Sequence, residues 1–150
     1  MLNLTIYFWL NYLTIRGGGM KQIISVRLAS NIIIAINTIA LLMHILILLK
    51  IMPHHFTWGG QLKSERDVMI FESISIVIQI LFIIIIAAKA GYIFKGKFQR
   101  TVNVSIWILF GIMVLNTIGN LVSASSLETI VMTPITSVLA LLVFRLGIEK

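Results

Sequence analysis

The sequence predicts an all-α integral membrane protein, an antiparallel bundle of four transmembrane helices. Three observations lead there. Hydrophobic residues make up 59% of the 150-residue chain and charged residues only 11%. A soluble domain carries about 25% charged residues, so this chain lacks the polar surface to coat itself in water. Four apolar stretches each approach the roughly 20 residues that a helix needs to cross a bilayer. The twelve basic residues lie outside those stretches or at their ends, as membrane flanks do. A net charge of +7 would suit nucleic acid, but no basic stripe follows a helix face, so membrane lipids are the expected partner and nucleic acid is not.

The chain divides into an apolar leader, 1–19, and a transmembrane domain, 20–150. Met1 to Ile15 is too short for a comfortable span and contains Asn3 and Asn11. It also lacks the basic start and small-residue cleavage site of a secretory signal. Two readings stand: a segment lying in the membrane interface, or a start codon placed too early. Gly17-Gly18-Gly19 directly before Met20 is what a purine-rich ribosome-binding sequence encodes when read in frame. Heavy use of Ile, Asn and Lys points to an AT-rich bacterial genome.

The spans are expected at about 28–49, 68–88, 102–121 and 127–146. Lys50 and Pro53 end the first, since proline cannot continue a helix. Ser64-Glu65-Arg66-Asp67 and Ser125-Ser126-Leu127-Glu128 fit capping boxes that open the second and fourth. Pro134 removes one backbone hydrogen bond inside the fourth. Strands are disfavoured, because the runs are long and lack period-two alternation.

Basic residues set the orientation. Arg16, Lys21, Arg27, Lys89, Lys95, Lys97, Arg100, Arg145 and Lys150 would share one side, and only Lys50, Lys63 and Arg66 the other. Both termini are therefore expected in the cytoplasm of a multi-pass cell-membrane protein. The loop Lys89 to Arg100, with Tyr92, Phe94 and Phe98 among its basic residues, should lie on anionic headgroups.

Polar residues inside spans mark interior faces. Ser30, Asn37 and His44 recur every seven residues, which is about two helical turns. Glu72, Ser75 and Gln79 share a face, as do Asn116, Gly119, Asn120 and Ser123, and Thr129, Thr133 and Thr136. With the termini inside, His44, Glu72, Asn116, Asn120, Thr129 and Thr133 all fall near the outer surface, which predicts an outward-open polar pocket. Most Asn, Ser and Thr in membrane helices serve as hydrogen-bonding glue. Glu72 stands apart, because a carboxylate in hydrocarbon must be paired, hydrated or protonated. Its candidate partners are His44, as a proton- or cation-binding pair, or Arg66 or Lys63 at the interface. Glu72, His44, Asn116 and Asn120 form the candidate ligand or proton site. His54, His55 and Trp58 form a second candidate in the first loop, where two imidazoles could take a metal with help from His44 or Glu72. No regular metal-ligand spacing supports that.

The absence of cysteine excludes disulfides, thiolate metal sites and a cysteine nucleophile. No nucleotide-binding glycine pattern, nucleophile elbow or paired glycosidase carboxylates occur, and no cofactor is expected. Action by association, as an accessory subunit or homo-oligomer, is favoured. A small transporter, channel or proton/cation-responsive sensor is the alternative. A membrane enzyme acting on a lipid or quinone comes third, and nothing in the sequence points to a catalytic set.

Overall fold

The computed structural model describes residues 24–53, 58, 62 and 64–149. Its elements are α1 (Val26–Leu48), α2 (Glu65–Lys89), α3 (Gln99–Leu121), a π-helical turn (Glu128–Met132) and α4 (Thr133–Gly147). Counting the π-helical turn with α4, the four helices are each long and apolar enough to cross a membrane. They match the predicted spans to within three residues at either end. The leader 1–19 lies outside the described residues.

Local chemistry sets the ends. The Ser25 hydroxyl accepts the Leu28 N–H at 3.1 Å, and the Ser64 hydroxyl accepts the Asp67 N–H at 3.1 Å, so each satisfies a donor that the first helical turn leaves open. α1 stops before Pro53 is reached. Lys50 takes a left-handed φ of 59°, its N–H bonds the Ile47 carbonyl, and the Ile51 N–H bonds that of Leu46. This is a Schellman stop with lysine at the position glycine usually takes. α2 ends the same way at Gly91, whose φ is 73°. The Gly91 N–H bonds the Ala88 carbonyl and the Tyr92 N–H that of Ala87.

The fourth helix opens differently from the expected capping box. Glu128 pairs with the Ser123 hydroxyl, and the Ser123 oxygen accepts the Ser125 N–H at 3.0 Å. The acid thus reaches the helix start through a relaying serine. Ahead of Pro134 the chain widens into the π-helical turn, where the Thr133 N–H bonds the Glu128 carbonyl. A π turn is one way to absorb a helical proline.

The apolar core sits in one half of the molecule. Ala29 and Ile33 of α1 meet Phe82 and Ile86 of α2, Ile106, Leu109 and Met113 of α3, and Leu139, Ala140, Leu142, Val143 and Leu146 of α4. Trp107, Phe110 and Phe144 pack beside it with ring centroids 5.4–5.9 Å apart. Gly147 permits this, because a Cβ there would lie 3.2 Å from the Trp107 ring. At this same end the Lys89 ammonium donates to the Asn103 side-chain oxygen at 2.6 Å and to the Glu149 carbonyl at 2.7 Å. The buried Arg145 donates from Nε to the Ile24 carbonyl at 3.0 Å and from Nη1 to Glu149 at 2.9 Å. The start of α1, the end of α2, the start of α3 and the end of α4 are therefore tied together by polar contacts as well as by packing.

Outside this core the helix surfaces are apolar. Ile39, Leu42, Ile74, Val77, Leu115, Ile118 and Leu141 are exposed, along with many others.

Candidate functional site

The other half holds two further polar clusters. α1 and α2 form the first. The Glu72 carboxylate has no solvent exposure. Its Oε2 lies 2.6 Å from the Nδ1 of His44, whose side chain is 20% exposed. With the carboxylate ionised, Nδ1–H is the donor. Oε1 accepts the indole N–H of Trp58 at 3.1 Å. Charge-assisted hydrogen bonds of this kind are the strong ones, and they offset the cost of taking a carboxylate out of water.

Trp58 comes from the first loop and is held in an unusual way. Its φ is 57°, a left-handed conformation that a bulky residue adopts only under constraint. The indole also packs on Phe71, with centroids 4.9 Å apart. Phe71 precedes Glu72 in the sequence, so one turn of α2 supplies both the acceptor and the platform. Close by, Lys50 and Glu65 pair at 2.9 Å, with side chains 70% and 81% exposed, where an ion pair contributes little.

Asn120 joins the second cluster, between α3 and the fourth helix. Its amide donates to the Thr136 hydroxyl at 3.4 Å, and its carbonyl accepts from Thr129 at 3.3 Å. Thr133, Thr136 and Ser137 donate to backbone carbonyls of the same helical segment, at 2.7–3.3 Å. These hydroxyls are satisfied as helix glue.

The expected grouping thus divides. The structure brings His44 and Glu72 together, adds Trp58 to them, and places Asn120 in a separate network. Asn116 lies on the exposed side of α3. It lies only about 40° round the helix from Asn120, at the edge of the face on which α3 buries Ile106, Leu109 and Met113, and there it stays exposed. In α1 the inward face is as read, with Ser30, Asn37 and then His44 progressively less buried. The Asn37 amide donates to the Ile33 carbonyl at 2.9 Å. The Ser30 oxygen is buried without a hydrogen-bond partner among the described residues.

His54 and His55 lie outside the described residues. Among the described residues no three His, Cys, Asp or Glu side chains converge as a metal-binding group. Two surface concavities, of about 510 and 440 Å³, are lined by α3 and α4 residues such as Phe110 and Ser137, and by the end of α1 with the start of α2 around Lys50 and Glu65. Neither is lined by His44, Glu72, Asn116 or Asn120. No family model matches the chain, and neither a curated protein nor a solved structure shows significant similarity to it.

Proposed function

We propose that the chain is a multi-pass cell-membrane protein whose four helices run antiparallel, with both termini in the cytoplasm, and that it acts by association within the membrane as an accessory subunit or homo-oligomer. Asn116 carries the reading. It is exposed on α3 among Ile112, Leu115 and Ile118, and its amide makes no hydrogen bond to the described residues. An unpaired amide facing lipid is unfavourable by several kcal/mol on the order of its transfer cost. Snorkelling does not relieve it. Side chains tilt towards the helix N-terminus, whereas the membrane surface nearest Asn116 is at the C-terminal end of α3. By contrast Asn31, also exposed, accepts from the Tyr92 hydroxyl at 2.6 Å. Asn116 is satisfied when another helix covers it.

Membrane insertion and orientation rest on the exposed apolar surface and on the nine-to-three division of basic residues. On the basic side, Tyr92, Phe94 and Phe98 are exposed beside Lys95, Lys97 and Arg100, an arrangement suited to anionic headgroups. Reporters fused after Gly60 should be active only in the non-cytoplasmic form. Cytoplasmic activity there would reverse the orientation. Extraction into native-lipid polymer discs should give particles whose protein mass exceeds one chain. A population made only of single chains would remove the association reading.

One observation favours a second reading, a cation- or proton-responsive site. A fully buried carboxylate of α2 is joined to an imidazole of α1 and to a loop tryptophan in a strained backbone conformation. Such strain collects at sites where a state change is useful. Its expected mark is a thermal midpoint that rises with divalent cations in the wild type and stays fixed in Glu72→Gln. An equal response in both proteins would remove it.

A further inference from the structure

We infer that the partner covering Asn116 is a second copy of this chain, packed α3 against α3 about a two-fold axis along the membrane normal. The inference rests on the association reading and names its partner. Ile108, Ile112, Leu115, Gly119 and Val122 follow one another at spacings of four, three, four and three residues. That is the a/d seam of a left-handed helix pair. The four bulky members are 41–76% exposed, and no Cβ built at Gly119 would meet anything within 4 Å. The seam is therefore uncovered by the described helices.

Complementarity identifies the second copy. With that seam, Asn116 falls at an e position and Gly111 at a g position, five residues earlier. In a parallel helix pair each g residue lies across from the e residue five places on in its mate. Each Asn116 would thus face Gly111 of the other copy, and the two-fold makes the contact twice. Gly111 suits this role. It is exposed, and a Cβ there would meet nothing within 4 Å, so its backbone carbonyl, with a second lone pair free, is open to an approaching amide. The Asn116 side chain tilts towards the N-terminus, which is the direction of the partner's Gly111. Small residues at such contacts let membrane helices approach closely. Another exposed face, on α2, offers Ile70, Ile74, Val77 and Leu81, with no amide to satisfy.

The chain contains no cysteine, so single cysteines can be placed in the full-length protein without a background. Two differently tagged copies are expressed together, and membranes are oxidised with a copper–phenanthroline catalyst. Leu115→Cys is expected to give a disulfide-linked species of twice the chain mass carrying both tags, whereas Ile78→Cys on α2 stays monomeric. Asn116→Leu or Gly111→Leu, added to Leu115→Cys, should each lower the linked fraction by a factor of about three to ten, the range set by one interhelical hydrogen bond. If Leu115→Cys links only to a species without the second tag, the second copy is wrong while association stands. If cysteines at Leu115, Ile78 and Leu141 all remain at monomer mass, association itself falls. Equal linking in the Asn116→Leu and parent backgrounds would overturn the pairing of Asn116 with Gly111.

Discussion

Glu72→Leu is expected to lower folding stability by about 2–4 kcal/mol, as removal of one member of a buried charged network does. The carboxylate is the shared acceptor of the His44 imidazole and the Trp58 indole. Leucine would leave both donors unsatisfied beside an apolar side chain. Two facts keep the loss below the upper end for buried pairs. His44 is 20% exposed and Trp58 39% exposed, so each can recover part of its hydration. Freed from Glu72, Trp58 can also relax its left-handed backbone, returning some of the roughly 1–3 kcal/mol that such a conformation costs. Glu72→Gln keeps a carbonyl acceptor and should lose about half as much. Adding His44→Leu to Glu72→Leu should cost little more than the single change, because two groups that satisfied one another are then both absent. Unfolding in mixed micelles, followed by circular dichroism, measures all three variants. A loss under about 0.5 kcal/mol for Glu72→Leu, the range of ordinary surface changes, would show the carboxylate to be hydrated.

The pairing of His44 with Glu72 was legible because two regularities converge on it. Seven-residue recurrence puts Ser30, Asn37 and His44 on one face of α1, and the expected antiparallel arrangement of neighbours would put the end of α1 beside the start of α2. The span boundaries were legible for a simpler reason, since apolar length and the serine that opens α2 are local signals. Trp58 was not. Its reach to Glu72 depends on a left-handed backbone angle at a non-glycine residue, which sequence pattern does not encode, although an aromatic directly before the buried acid of α2 was a usable hint. The single four-helix pocket was over-read from depth alone. Depth brings polar groups to one level without turning them towards each other. Asn120 bonds across to Thr136 within the α3–α4 pair, and Asn116 faces outward. The sequence of α3 has apolar residues nearly all round, so rotation about its axis is set by what α1, α2 and α4 leave to be filled.

Arg145→Leu should have the second large effect, a loss of about 2–3 kcal/mol, typical of breaking a buried charged hydrogen-bond network. The side chain is only 4% exposed. Its guanidinium bridges the Ile24 carbonyl and the Glu149 carboxylate. Leucine fills comparable apolar volume but leaves the Ile24 carbonyl without that donor. Glu149, at 36% side-chain exposure, can turn to water, which is why the expected loss is not larger. Arg145→Lys should recover only part of the stability, because an ammonium cannot hold two acceptors with the fixed fork of a guanidinium. Orientation in the membrane should not change, since eight of the nine basic residues on that side remain, and the same reporter fusions would show it. Hydrogen exchange at Val26 to Ala29 should quicken in Arg145→Leu while exchange at the Ser64 end of α2 stays as in the wild type. Unchanged exchange at both ends would mean that packing of Ile24 and Val26 against the core holds the start of α1 without Arg145, and the polar tie between α4 and α1 would lose its energetic role.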